Sequence, residues 1–163
     1  MYSIINTLRI TKNISINESE VLFLDLIECL QKKGKLFEAM TTGLFFRDMK
    51  DLMATEIITK YNLEVSFPFV GKKNPALPDF WKSLYNHLNN DENKKIRTAA
   101  IIGIGGKYDH WTVVRSISGT SMSLEDSFQL KKINRKYCTT HAQSGSRHHV
   151  LRPAQTFLLR AES

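Results

Sequence analysis

The sequence predicts an α+β fold, with N-terminal helices packed on a C-terminal antiparallel β-sheet. Two observations carry that expectation. Apolar residues recur at helical spacing in three segments between Asn17 and Leu88, and after Asn93 the pattern changes to short apolar runs divided by glycine and serine turns. The order, helices first and then adjacent strands, suits helices laid on one side of an antiparallel sheet. The 163 residues carry 42% hydrophobic and 24% charged side chains, an ordinary globular balance, and read as a single domain spanning 1–163.

From the start, Ile4, Ile5, Leu8, Ile10, Ile14 and Ile16 alternate loosely and read as a leading strand or an arm. A helix follows. Asn17 is placed to cap it with Glu20 three residues on. Val21, Leu22, Phe23, Leu26, Ile27 and Leu30 supply a wide apolar face, and Gly34 ends it. Thr41-Thr42-Gly43 introduces a second helix over about Leu44 to Lys60, with Phe45, Met49, Leu52, Met53 and Ile57 inward. Leu63 to Phe67 reads as a short strand. Pro68, Gly71, Pro75 and Pro78 mark a loop before a third helix ending at Leu88, on which His87 sits among polar neighbours and is expected to be exposed. Residues 98–104 (TAAIIGI) read as a fully buried strand. His110 to Ile117 and Ser121 to Asp126 read as a hairpin about Ser118-Gly119-Thr120. Short strands near Leu130–Ile133 and Gln155–Arg160 close the pattern, separated by a polar loop over 138–149.

No apolar run is long enough to span a bilayer, and the first residues lack the layout of a secretory signal. Those features lead us to expect a cytoplasmic protein, or one exported by a non-classical route. Cys29 and Cys138 match no zinc or redox spacing and read as reduced thiols.

The hairpin has a chemical consequence. A short turn at Gly119 sets His110 opposite residues near Phe128, and Asp126 becomes a diagonal neighbour within side-chain reach. A carboxylate there orients the imidazole and fixes its tautomer, which supplies two members of a nucleophilic triad. Read from the local pattern alone, His110 is more simply a strand-end histidine and Asp126 the cap of a turn.

The run Gly105-Gly106-Lys107-Tyr108-Asp109-His110-Trp111-Thr112-Val113-Val114, followed by Leu124-Glu125-Asp126-Ser127, resembles the His and Asp motifs of papain-like cysteine peptidases. The nearest likeness is to the domains that process bacteriocin leader peptides in bacterial ABC exporters. The resemblance extends over roughly Glu18 to Arg135. It implies a papain-like fold with His110 as general base and Asp126 as its orienter, no cofactor and no bound metal. It also implies a peptide or protein partner; Tyr108 and Trp111, which flank His110, read either as walls of a peptide groove or as core and rim packing, and the Thr42-Gly43 turn either as a substrate contact or as a helix cap. In that family the nucleophile is a cysteine at the start of the first helix, where the helix dipole lowers its pKa. The residues at the start of the Asn17 helix are Glu18, Ser19 and Glu20, and Cys29 falls in its third turn facing the core. Three readings follow. The chain is a catalytically silent relative that binds peptides; or Ser19 serves as nucleophile; or the cysteine was replaced or lies on a segment upstream of this chain.

Two other patterns compete. Cys138, His141, His148 and His149 share one loop and could hold zinc, though their spacing fits no finger. The formal net charge is +7, concentrated after Ser127 in Lys131, Lys132, Arg135, Lys136, Arg147, Arg152 and Arg160 against Glu162. Such a basic third reads first as a solvated basic face; it also suits an acidic protein, an anionic membrane, or nucleic acid in a nuclease-like toxin where His110 with His148 or His149 would do acid–base chemistry.

Overall fold

A computed structural model describes residues 1–89, 96–106, 109–141 and 149–162. The fold is α+β. The helices are α1 (Tyr2–Thr11), α2 (Ile16–Lys32), α3 (Leu36–Thr41), α4 (Phe46–Leu52, continued by a π-helical turn Met53–Ile57) and α5 (Leu77–Leu88). The strands are β1 (Leu63–Ser66), β2 (Ile96–Gly105), β3 (His110–Ile117), β4 (Ser121–Glu125), β5 (Lys132–Asn134), β6 (Cys138–Thr139) and β7 (His149–Glu162). The sheet runs β1-β7-β2-β3-β4-β5 with every neighbour antiparallel, and the two-residue β6 lies parallel to the start of β7.

The first segment corrects the sequence expectation: Tyr2–Thr11 is a helix, not a strand or an arm. Its inner face holds Ile4 and Leu8, both fully buried, among small polar residues. The two threonines are satisfied locally: Thr7 Oγ1 donates to Ser3 O and Thr11 Oγ1 to Thr7 O, both at 2.8 Å. The α2 cap also lies two residues earlier than expected. Ser15 caps the helix, its side chain accepting from the Glu18 N–H while Glu18 Oε2 accepts from the Ser15 N–H at 2.7 Å.

Helices cover both faces of the sheet, where the sequence led us to expect one. Along β2, Ala99 and Ile101 join Ile4, Leu8, Leu22, Leu26 and Met49 on one side. Ala100, Ile102 and Ile104 join Phe80, Trp81 and Leu84 of α5 on the other. This two-sided burial explains why β2 is apolar at successive positions instead of alternate ones. His87 is buried as well, contrary to expectation. Its Nε2 lies 3.2 Å from Ala99 O and 3.0 Å from Leu159 O, bridging β2 and β7. Burial holds its pKa below the usual histidine value.

β7 is longer than the sequence pattern implied. Its register with β2 shifts between Ile102 and Gly103, where β7 carries extra residues including Pro153. A proline has no N–H for a ladder, so it is accommodated at such an irregularity. Gly103 lies close against Gln155 there: an added Cβ would meet Gln155 Oε1 at 2.3 Å and its Cβ at 3.0 Å, so the glutamine side chain would have to shift.

Candidate functional site

The β3–β4 hairpin sets the geometry. Val113 pairs with Glu125, and a bulge at Arg115 shifts the pairing beyond it. Extending the Val113 register to the start of β3 puts Phe128 opposite His110, and the two rings meet edge to face with centroids 5.0 Å apart. His110 Nε2 is hydrogen-bonded to Asp126 Oδ2. The Asp126 side chain is fully buried and that of His110 is 10% exposed, so the pair is shielded from solvent.

The turn after β4 holds the carboxylate still. Asp126 Oδ1 accepts the Phe128 N–H at 2.7 Å and the Leu130 N–H at 3.4 Å, an Asx-type turn closed by Gln129 in the left-handed region at φ 63°. One carboxylate oxygen therefore faces the backbone and the other faces the ring. A neutral imidazole then donates its Nε2 proton to Asp126, which leaves the buried Nδ1 as the unprotonated ring nitrogen.

The neighbours of His110 are fixed too. Arg152 reaches over the end of β2, close enough that a Cβ on Gly105 would meet its Nη2 at 2.9 Å, and bonds Asp109 through both guanidinium nitrogens at 3.0 Å. The Trp111 indole donates to Leu44 O at 2.7 Å, and its ring packs against Phe157 and Phe46. Trp111 is thus half-buried, with much of its ring spent on packing. The bond to Leu44 draws the turn after α3 to β3. Thr42 caps the end of α3, with Oγ1 donating to Glu38 O at 2.9 Å, and Gly43 follows at φ +86°. Thr42 and Gly43 therefore finish α3, where the sequence expectation had them start the next helix. Tyr108 lies outside the described residues.

The helix whose beginning meets β3 is α1. Ser3 Oγ donates to the carbonyl of Trp111 at 3.0 Å, one residue from His110. The first turn of α1 contains no cysteine. Ser19 does not occupy that place. It sits in the first turn of α2, where its Oγ donates to Ser15 O at 2.7 Å. It lines a shallow pocket with Ile5 and Arg9 on the outer side of α1. The buried side of α1 faces the sheet, so α1 stands between Ser19 and the strands that carry the histidine. The expectation of Ser19 as nucleophile rested on α2 being the first helix, and α1 removes that premise.

Neither thiol suits the role. Cys138 is buried, donates to Asn134 O at 3.4 Å, and its pKa is pushed up to about 12 by burial. Cys29, half-buried on α2, is also raised, first by desolvation and then by hydrogen bonding with Glu56. Both therefore stay protonated at neutral pH.

Of the proposed zinc cluster, His148 lies outside the described residues, and among those described no group of three His, Cys, Asp or Glu side chains has metal-binding geometry. The basic C-terminal third is dispersed. Arg152 pairs with Asp109, and Arg135 lies over the Trp81 ring at 5.6 Å. Lys136 lies over Tyr137 at 4.8 Å, and Arg160 lines a groove with Glu64. Arg147 is outside the described residues. Among the described residues, no helix is long and apolar enough to cross a membrane.

Sequence reasoning missed Phe128 as the ring partner of His110. The register that placed Asp126 near the histidine also placed Phe128 there, so the signal was present. Comparison with family models, curated proteins and solved structures returned no match to this chain.

Proposed function

We propose that His110 and Asp126 form the centre of a papain-like site that binds or acts on a peptide or protein, degenerate in lacking a cysteine at the helix that meets β3. The observation that supports this reading is the buried Asp126 carboxylate, anchored by the Phe128 N–H and bonded to His110 Nε2. A carboxylate costs several kcal/mol to bury, on the order of magnitude known for isolated ions, unless partners compensate it. The turn and the imidazole are those partners. Such a pair holds an imidazole in one orientation and one tautomer, which is what a general base or a fixed hydrogen-bonding group needs. With no thiolate available, the reading favours recognition of a peptide carbonyl or amide over its cleavage. Hydrolysis would require a nucleophile supplied from elsewhere.

The test uses an array of immobilised random peptides probed with the purified full chain, and with His110→Ala and Asp126→Asn variants shown by circular dichroism to be folded. The expected result is a reproducible subset of peptides retained by the parent and lost by His110→Ala. Equal retention by parent and both variants, or no retention by the parent, overturns the proposal.

A further inference from the structure

At the far end of β3 from His110, three arginines from three elements surround one open pocket of about 440 Å³. Arg9 comes from α1, Arg97 from β2 and Arg115 from β3. Asn6, Asn13, Ile10, Ile14 and Glu125 complete the lining. The only ion pair among the pocket's side chains joins Arg115 Nη1 to Glu125 Oε1 at 3.0 Å; Arg9 and Arg97 have none among the described residues. The pocket therefore carries an excess of two positive charges.

The floor supplies a second, independent sign. Asn6 is 5% exposed, and its Nδ2 is buried without a hydrogen-bond partner. A buried amide N–H left unpaired costs about 1–3 kcal/mol, and native proteins leave few such groups. The helix explains the position but not the residue. Asn6 occupies the buried side of α1 where an apolar side chain would pack, as Ile4 and Leu8 do beside it.

We propose that this pocket binds a small phosphorylated molecule, with the phosphate held by Arg9, Arg97 and Arg115 above Asn6. Guanidinium groups match phosphate oxygens in bidentate fashion, and three of them gathered about one cavity repel each other until an anion arrives. Asn6 donates to an oxygen seated at the floor. Glu125 keeps Arg115 in position and limits the favourable charge to about a dianion. Ile10 and Ile14 give the organic part an apolar wall. The volume falls within the range of small-molecule sites and is too confined for a folded partner. The site is independent of the His110 pair: Arg115 is the sixth residue of β3, about 17 Å along the strand from His110.

The experiment is isothermal titration of the full chain with inorganic pyrophosphate and with a phosphate monoester, at two salt concentrations, alongside Arg97→Ala, Arg9→Ala and Asn6→Leu. Arg9 and Arg97 are exposed, so those variants are expected to keep the parent melting temperature. Asn6→Leu fills the floor with an apolar side chain and is read only with a matching melting curve. Saturable one-to-one binding, weakened about tenfold or more by each arginine variant, supports the site. Absence of saturable binding in the parent at low salt overturns it, as does binding unchanged in Arg97→Ala and Arg9→Ala. A single-stranded oligonucleotide serves as a third titrant. If it binds more tightly than pyrophosphate and the arginine variants weaken that binding, the cations serve a nucleic-acid surface and the small-molecule proposal fails.

Discussion

Replacing Asp126 separates its two jobs. Its Oδ2 serves the imidazole and its Oδ1 serves the turn. Asparagine keeps one carbonyl oxygen for the Phe128 N–H but turns an NH2 group toward His110 Nε2. Two donors then face each other, and the ring must move its proton to Nδ1 so that Nε2 can accept. A hydrogen bond to a charged group is worth about 2 kcal/mol, and the neutral bond re-formed after the tautomer switch recovers about half of it. The net loss is about 1 kcal/mol, which lowers the melting temperature of a chain this long by about 2–4 °C. Alanine removes both jobs. The imidazole and the turn N–H groups lose their acceptor, and the cost rises to about 3 kcal/mol, or about 6–12 °C. Thermal unfolding followed by far-ultraviolet circular dichroism measures both steps. Long-range 15N correlation spectra of the histidine rings report the tautomer directly. If Asp126→Asn and Asp126→Ala melt alike, or if His110 keeps the same protonated nitrogen in Asp126→Asn, the buried pair is not arranged as described.

His87 gives stability a pH dependence. Its pKa is depressed in the folded chain by burial, so the unfolded chain takes up the proton first; its contribution is complete above about pH 6.5 and falls as the pH drops below that value. Urea midpoints at pH 7 and pH 5 should differ more for the parent than for His87→Gln, and equal differences refute the assignment. Ellman's reagent at neutral pH should leave Cys138 unmodified in the folded chain, label Cys29 slowly and label both after unfolding, because burial raises both thiols. Rapid native labelling of Cys138 contradicts its burial in β6.

The hairpin was legible because each of its signals is local. The Ser118-Gly119-Thr120 turn sets the pairing to within the one-residue bulge at Arg115, and that is enough to bring residue 126 beside residue 110. The strand 98–104 was legible from its unbroken apolar run. What stayed hidden depended on partners distant in sequence. The buried side of α1 carries Ser3, Asn6, Thr7 and Thr11 beside Ile4 and Leu8, so its hydrophobic period is broken by polar residues. Threonine and isoleucine are also weak helix formers, and packing against β2 and β3 overrides that preference. The start of α2 offered two overlapping cap signals, Ser15 with Glu18 and Asn17 with Glu20, and the choice between them depends on where α1 ends. The concealment of α1 then misplaced the candidate nucleophile, since the helix counted as first was the second. His87 looked exposed because its neighbours on α5 are polar; its partners are carbonyls of β2 and β7, contributed by two separate stretches of chain.

The position of β7 governs how this protein can be made. It follows every other element along the chain, yet it lies inside the sheet, between β1 and β2. A ribosome that has delivered everything through β5 has produced helices and a β2–β3–β4 hairpin set whose β2 edge is still bare and whose Ala99, Ile101 and Ile102 lack their cover from Leu159, Phe157 and Thr156. At translation speeds of about 5–20 residues per second, that half-sheet persists for seconds. An open apolar edge of this kind invites pairing with another nascent chain. Once β7 zips in, the margins of the sheet among the described residues are short: β1 of four residues, β5 of three with its lysine, and the two-residue β6. The hazard is therefore confined to synthesis, and overexpression should be limited by how quickly chaperones shelter the incomplete sheet.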